Sequence, residues 1–283
     1  MYKIVQNHAN VLYTKIMITA VDVGATKTLL AQFNDAGEPV SHIRFETPSI
    51  AGDFVRQLNT HMQGLERPTR LVMGLPGQIS DDGRTVLYCG NLPWRNVPLA
   101  DMLSETIDCP IFLENDAAMA AIGEIHNLEP VPRLGFYLAL GTGIGSAIIV
   151  DGKLLPSMRR SEAGHMMLKD GDTWTEWEDM ASGRAIVKKF GKMAKELNTP
   201  EEWQWLAENL AQGLSPVITT LMPQAVVFGG GVGRYFDMFH GLLSEKLHRR
   251  LPDFIPIPAM SAATRLDDAV LYGCYYHATH QHA

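Results

Sequence analysis

Cysteine is scarce in this chain of 283 residues, which contains only Cys89, Cys109 and Cys274 and no C-x-x-C pair. An odd number of cysteines without paired spacing indicates neither a disulfide framework nor a thiolate metal site. We therefore expect a protein of a reducing compartment, the cytoplasm.

Long apolar runs and an excess of positive charge are also missing. The first apolar stretch, residues 15–23, is too short to cross a bilayer, and no cleavage pattern follows a basic leader. The net charge of -7 argues against a protein that binds nucleic-acid phosphates. We therefore expect neither a membrane protein nor a nucleic-acid-binding protein.

Apolar residues, by contrast, are plentiful. With 46% hydrophobic and 19% charged residues, the chain can bury substantial cores. Its length favours two lobes around one cleft. Residues 1–14 precede the first clear strand and are given no function.

Hydrophobic patterning predicts an α/β protein whose second half repeats the order of the first. Each half opens with a hairpin whose turn carries glycine and threonine, and the lobe boundary is placed near residue 117. Strands are expected at residues 16–23, 29–33, 40–45, 71–75, 111–113, 136–140, 146–150 and 225–228. Helices are expected at residues 54–65, 98–107, 117–126, 182–196, 201–221, 235–250 and 267–278.

The two hairpin turns are candidate phosphate loops. Asp22 ends a strand, Gly24 lets the backbone approach a ligand and Thr26 offers a hydroxyl, a set that suits Mg²⁺ and phosphate. Residues 141–145 supply three glycines but neither a Walker A nor a complete G-x-G-x-x-G pattern. A plain polar turn and a tight hairpin are the respective alternatives.

A polar cluster follows the strand at 111–113. There Asp116 could accept the proton of an attacking hydroxyl, or it could simply cap the next helix. Further along, Glu162, His165 and Glu178 offer the donors and acceptors that a hydroxyl-rich ligand needs, with a solvated loop as the alternative. The glycines at 229–231 could let the flat base of a nucleotide lie against the backbone, or they could allow close packing of the strand and helix.

Taken in order, eight segments resemble the ROK family of bacterial sugar kinases and repressors, and they cover nearly the whole chain. They are DVGATK (22–27), GLPG (74–77), NLPW (91–94), ENDA (114–117), GTGIG (141–145), EAGH (162–165), EDMASG (178–183) and GGGV (229–232).

The resemblance implies the actin-like ATPase fold, a duplicated ribonuclease-H-like fold with an ATP and sugar cleft between lobes. The lobes would be residues 15–117 and 118–265, with a helix at 266–283 returning to the first lobe. It also implies a homodimer. The implied activity is ATP-dependent phosphorylation of a hydroxyl, O6 expected, of a free hexose or N-acylhexosamine.

Roles carry over by position, with Asp116 as the catalytic base. The implied sugar-binding residues are Gly77, Asn91, Asn115, Asp116, Glu162, His165 and Glu178. The implied ATP-binding residues are Asp22, Gly24, Ala25, Thr26 and Lys27 in the first phosphate loop, Gly141, Thr142 and Gly143 in the second, and Gly229, Gly230 and Gly231 beside the adenosine. Asp22 is also the implied Mg²⁺ ligand.

One departure concerns zinc. Many family members follow Gly-His with a C-x-C-G-x-x-G-C-x-E segment that binds structural zinc, whereas residues 166–177 here contain no cysteine. We therefore expect no structural zinc. What positions Glu178 is then open, and packing by Trp174 and Trp177 is one interpretation. A sugar sensor without catalysis, a polyphosphate-dependent kinase and, least favoured, a repressor are the alternative functions.

Overall fold

The computed structural model describes residues 16–265 and 267–280. By its internal contacts the chain divides into two compact units, one ending at Asp116 and one beginning at Ala117. The lobe limits implied by the resemblance stay a prediction, and residues 1–14 lie outside the described part. Within the described residues, no helix is long and apolar enough to span a membrane.

The first unit is built on a five-stranded sheet in the order β3-β2-β1-β4-β8. The three opening strands pair antiparallel, whereas β4 and β8 run parallel to β1. Its elements are β1 (Ile18–Val23), β2 (Lys27–Phe33), β3 (Pro39–Glu46), α1 (Ala51–Met62), β4 (Arg70–Leu75), β5 (Gln78–Ile79), β6 (Val86–Tyr88), β7 (Arg95–Val97), α2 (Leu99–Ser104) and β8 (Ile111–Asn115).

The register of the parallel strands places the candidate site. Asp22 pairs with Gly74, and Leu75 pairs with Asn115. Because carboxyl ends of parallel strands meet at one edge of a sheet, residues 22–24, 74–77 and 115–116 share that edge. β5, β6 and β7 form a separate small sheet, which the sequence patterns did not predict.

The second unit repeats this plan, with a sheet in the order β11-β10-β9-β14-β15. Again a run of antiparallel strands is followed by two parallel ones. Its elements are α3 (Asp116–Ile125, whose first residue ends the first unit), β9 (Leu134–Leu140), β10 (Ile144–Val150), β11 (Lys153–Leu154), β12 (Met167–Asp170), β13 (Thr173–Glu176), α4 (Trp177–Ala181), α5 (Gly183–Phe190), α6 (Pro200–Leu221), β14 (Ala225–Gly229), α7 (Gly230–Gly233), α8 (Phe236–Arg250), β15 (Ala259–Ala262) and α9 (Ala269–His280).

α9 packs on α3 through glycines. A Cβ added at Gly273 would lie 1.7 Å from the carbonyl oxygen of Met119, and one at Gly123 would lie 2.2 Å from that of Ala269. Such backbone contact leaves no room for a side chain. α9 therefore belongs to the second unit.

Several elements differ from the predicted ones. The helix expected at 182–196 ends at Phe190, because Gly191 adopts φ +67 as a left-handed cap, and a short 3-10 turn (Ala194–Glu196) follows. The edge strand β15 was missed because its four half-exposed or exposed residues show no alternation. Residues 166–177, for which no strand was predicted, contain the hairpin β12–β13.

Candidate active site

Two carboxylates lie close together at the carboxyl edge of the first sheet. The pKa of Asp22 is raised from its usual 3.8 to about 7, mainly by burial and next by the negative charge of Asp116, while Lys27 lowers it. Asp116 is half-buried and begins α3, one residue before the predicted start. A desolvated carboxylate beside a second negative charge favours binding of a proton or a cation.

Asn115 ties this edge to the segment after β4. Its Nδ2 donates to the carbonyl oxygen of Gly77 at 3.0 Å. Gly77 has φ +127, and an added Cβ would lie 2.0 Å from the carbonyl oxygen of Tyr88. Glycine is therefore required there by conformation and by space.

Asn91 lies in the exposed loop between β6 and β7. The pKa of the neighbouring Cys89 thiol is raised above its usual 9.0, first by burial. The backbone N–H groups of Asn91 and Leu92 lower it, and the charge of Asp116 raises it again. The Cys89 thiol therefore lies near both the Asn91 loop and Asp116. The first unit thus brings its predicted sugar-binding residues to one region, namely Gly77, Asn91, Asn115 and Asp116.

The first candidate phosphate loop is a tight turn between β1 and β2. The Gly24 N–H donates to the carbonyl oxygen of Lys27 at 2.9 Å, and a Cβ on Gly24 would lie 2.8 Å from that oxygen. Ala25 is half-exposed, and Thr26 and Lys27 are exposed. A ligand can therefore reach the turn that follows Asp22.

The second candidate phosphate loop is bound to the start of α5. The Gly141 N–H donates to the Gly143 carbonyl at 3.0 Å, and the N–H groups of Gly183 and Arg184 donate to the carbonyls of Gly141 at 2.8 Å and Thr142 at 3.2 Å. The loop is therefore fixed from both sides. Thr142 is exposed at its tip.

Glu178 lies directly beneath this loop. Its Oε2 accepts from the N–H of Ile144 at 3.2 Å and would lie 2.4 Å from a Cβ added to Gly143. Its Oε1 accepts from Arg184 at 2.7 Å, and Arg184 also donates to Asp179 at 2.9 Å. The candidate phosphate loop and a predicted sugar-binding carboxylate are thus neighbours within the second unit.

Glu162 directly precedes a 3-10 turn (Ala163–His165) that His165 ends. The pKa of Glu162 is raised by desolvation, lowered by His165 and raised by Glu178, so the three groups interact. A Cβ on the buried Gly164 would lie 2.1 Å from the carbonyl oxygen of Ile144. The turn therefore rests directly on β10.

Direct bonds position Glu178 in this cysteine-free segment. Trp177 contributes as the sequence suggested, because it is fully buried and its Nε1 donates to the carbonyl oxygen of Asn209 at 3.0 Å. Trp174 does not contribute in this way, because it is 66% exposed. Arg184 and the Ile144 N–H hold the carboxylate itself.

His165, Glu176 and Glu178 present ligand atoms within 4.8 Å of one another, a spacing that could accept a metal ion. Nδ1 of His165 and Oε2 of Glu176 already lie 2.9 Å apart in a direct hydrogen bond, however, and Glu178 is bound by Arg184. His165 and Glu176 are therefore bonded to each other, and Glu178 is bonded to Arg184, without a metal ion.

The three glycines after β14 have different reasons to be glycine. A Cβ on Gly229 would meet the Tyr137 hydroxyl at 1.9 Å, and one on Gly230, with φ +80, would meet the Leu140 carbonyl at 2.5 Å. Gly231 instead faces open space. Packing explains the first two glycines, and only the third leaves room for a ligand.

Sequence reasoning missed two residues of the second-unit cluster. Glu176 contacts His165, and Arg184 contacts Glu178. Their acidic and basic types could have suggested ion pairs, but no periodic spacing links them to their partners. Both pairings depend on the hairpin β12–β13 and on the turn between α4 and α5.

Comparison with known proteins gives consistent results. The ROK family model matches residues 18–281. A fructokinase of Lactococcus lactis subsp. cremoris is 24% identical over 254 residues, which is 84% of this chain and 87% of the relative.

Solved structures agree. The ROK hexokinase of Thermus thermophilus superposes with a TM-score of 0.79 at 25% identity, covering 92% of this chain and 96% of that one. A ROK family glucokinase of Streptomyces griseus, solved with glucose and AMPPNP, superposes with a TM-score of 0.71 at 24% identity, covering 92% and 98%. The predicted α/β actin-like ATPase fold is thereby confirmed, and the chain belongs to the ROK family.

Proposed function

We propose that this sugar kinase of the ROK family transfers the γ-phosphoryl group of Mg–ATP to a hydroxyl, O6 expected, of a free hexose or N-acylhexosamine, with Asp116 as general base. The observation that carries the proposal is the interacting pair Asp22 and Asp116 at the carboxyl edge of parallel strands. A carboxylate whose pKa is raised by burial and by a neighbouring carboxylate is typical of catalytic sites.

Asp116 accepts the proton of the sugar hydroxyl while the hydroxyl oxygen attacks the γ-phosphorus, and the P–O bond to ADP breaks. General base catalysis of this kind contributes about 10²- to 10⁴-fold in rate. Asn91, Asn115 and the backbone at Gly77 orient the sugar, and the bond from Asn115 holds the Gly77 backbone in place.

Glu162, His165 and Glu178 bind sugar hydroxyls, since each offers a donor or acceptor in one interacting cluster. Gly141, Thr142 and Gly143 receive phosphate, and Gly229 to Gly231 adjoin the adenosine. The open space at Gly231 supports that last assignment.

Mg²⁺ fits at Asp22. The neighbouring Asp116 and burial leave this carboxylate short of positive charge, as its raised pKa of about 7 shows. Hard oxygen ligands of this type suit Mg²⁺ together with phosphate oxygens. When bound, the ion neutralises charge on the transferring phosphates.

The relatives support a small sugar and a nucleotide as substrates. The Streptomyces griseus structure contains glucose and AMPPNP, and the Lactococcus lactis relative is a fructokinase. Epimeric sugars differ in the direction of one hydroxyl, so the acceptor is best identified by a panel. Glucose, mannose, fructose and N-acylhexosamines form that panel.

The test is ADP release from Mg–ATP across the panel, for the wild type, Asp116→Asn and Asp108→Asn. Asp108 is an exposed partner of Arg67 and serves as the matched control. We expect sugar-dependent turnover that falls by about 10²- to 10⁴-fold in Asp116→Asn and is unchanged in Asp108→Asn.

Two other outcomes would replace the proposal. Saturable sugar binding without turnover would indicate a non-catalytic sensor. Turnover with polyphosphate but not with ATP would indicate a polyphosphate-dependent kinase. Turnover that survives in Asp116→Asn would remove Asp116 from the role of base.

We also propose that the enzyme is cytoplasmic and homodimeric, as its family resemblance implies. Its cysteines form no disulfide, and two of the three are buried. Sedimentation of the purified chain at micromolar concentration tests the dimer. A monomer at that concentration would contradict it.

A further inference from the structure

Glu176 is a half-buried carboxylate at the end of β13 to which the proposed function gives no role. It directly precedes Trp177, whose indole donates to Asn209 and fills the space above Gly213, where an added Cβ would lie 2.0 Å from the ring. The backbone that carries Glu176 is therefore fixed by a buried anchor.

From this anchor Glu176 reaches His165. Its Oε2 lies 2.9 Å from the imidazole Nδ1, which joins the 3-10 turn before β12 to the end of β13. Both side chains keep partial access to solvent, with 55% of His165 and 41% of Glu176 exposed. The remaining ring face of His165 is thus open to a ligand.

A bond at one imidazole nitrogen decides what the other nitrogen offers. An ionised carboxylate can only accept, so the hydrogen of this bond sits on Nδ1. Nε2 is then an acceptor in the neutral ring and a donor in the imidazolium, and a sugar hydroxyl can pair with either form. Without the carboxylate, ring orientation and tautomer would both be free to vary.

The carboxylates around His165 all raise its pKa. The hydrogen bond with Glu176 is the largest cause that raises its pKa above the usual 6.5, and the charges of Glu176, Glu178 and Glu162 add to it, while desolvation lowers it. Arg184, bound to Glu178, is the neighbouring cation of this cluster. Glu176 is the member of the cluster that touches the ring directly.

We propose that Glu176 is a positioning residue for the sugar site: it holds the Nδ1–H of His165 so that Nε2 meets a sugar hydroxyl in one fixed orientation. The proposal rests on the proposed sugar-binding role of His165. In this proposal the hydrogen bond between Glu176 and His165 orders the segment that contains residues 166–177, which has no cysteine.

The first experiment needs no sugar. Nitrogen-15 NMR titration of the imidazoles, with the His165 signals assigned by their loss in His165→Gln, is carried out on wild type, Glu176→Gln and Asp172→Asn. Asp172 lies exposed in the turn of the same hairpin and controls for lost charge. We expect Glu176→Gln to lower the His165 pKa and reduce its Nδ1–H tautomer, and Asp172→Asn to change neither. An unchanged His165 in Glu176→Gln overturns the proposal.

The second experiment uses kinetics with the panel sugar that the wild type phosphorylates. Loss of a hydrogen bond to a charged group should raise the sugar KM of Glu176→Gln about 10-fold, with kcat and the ATP KM nearly unchanged. Glu176→Asp should recover part of the affinity. A fall in kcat at constant sugar KM overturns the positioning role.

A third measurement separates a protein pair from a bound cation. Calorimetric binding of the same sugar to wild type should be equal with and without EDTA, and a loss with EDTA overturns the proposal. If the wild type turns over no sugar, glucose replaces it as the calorimetric probe. In that case the proposed kinase function fails, while the imidazole titration still decides whether Glu176 sets the state of His165.

Discussion

Gly143 and Gly164 show how single residues allow the second-unit cluster to form. A Cβ on Gly143 would collide with the Glu178 carboxylate, and one on Gly164 with the carbonyl of Ile144. Both are glycines because a polar group occupies the space of a side chain. The Glu178 carboxylate, proposed to bind sugar, can therefore lie directly under the candidate phosphate loop.

Arg184 is the residue whose removal tests this arrangement. Arg184→Gln removes the donor at 2.7 Å from Glu178 Oε1 and leaves the carboxylate held by the Ile144 N–H alone among its described bonds. Because Arg184 is about half exposed, we expect only about a 3- to 10-fold rise in the sugar KM, with little change in thermal stability. Steady-state kinetics with varied sugar measures it.

Lys188→Gln is the matched control, because it removes the same charge from an exposed position of the same helix α5. It should leave the sugar KM unchanged. Equal effects of the two variants would mean that the net charge of α5, not the contact with Glu178, sets affinity.

At the scale of elements, the residues at the start of α6 determine where this helix begins. Thr199 caps the helix, Pro200 begins it and Glu202 reaches back to the Thr199 N–H at 3.0 Å, which forms a capping box. Glu202 also accepts from Lys192 at 2.6 Å and from the Asn198 N–H at 2.8 Å. The helix start thus organises the chain before it.

This network predicts a pH dependence of stability. The pKa of Glu202 is lowered from its usual 4.5 to about 2, chiefly by the bond from Lys192. A carboxylate with a depressed folded-state pKa stabilises the fold above pH 4.5, and the contribution is lost as pH falls toward 2. Glu202→Gln should therefore lower the free energy of unfolding at pH 7 more than at pH 3, measured by urea denaturation.

Glu201→Gln removes a neighbouring exposed carboxylate of the same helix turn and provides the comparison. Its effect should be small at both pH values. A deficit in Glu202→Gln that is the same at pH 7 and pH 3 would contradict the depressed pKa.

At the scale of the whole molecule, each unit buries its own apolar cluster. One cluster gathers around β1, β4 and α1, and the other around β9, β14 and α6. Each holds large side chains with no exposed surface, such as Leu71 in the first and Leu138 in the second. Truncating either residue should cost about 2–5 kcal/mol because it leaves a cavity.

Hydrogen exchange with mass spectrometry tests whether the two cores open independently. We expect Leu71→Ala to accelerate exchange mainly in peptides before residue 116, and Leu138→Ala mainly in peptides after it. Each variant controls for the other. Equal acceleration in both units by either variant would show a single cooperative unit.

The sequence by itself determined the fold family and the duplicated order of strands, and it supplied the candidate site residues, whose roles stay a prediction. Such features depend on short sequence patterns that can be recognised without knowing the tertiary structure. Asp22 lies near the end of β1, Asp116 directly follows β8, glycine turns form the candidate phosphate loops, and the Thr199 capping box begins α6. Buried strands were predicted well because continuous apolar runs record burial directly.

Only the tertiary structure decided which of these groups act on one another. The pKa of Asp22 is raised first by burial and next by the charge of Asp116, which begins α3 far along the chain. The bonds from Glu176 to His165 and from Arg184 to Glu178 depend on a hairpin and a helix turn without periodic signals. Distances and desolvation arise only when separate elements pack together, so the electrostatics of the site could not be derived from residue order alone.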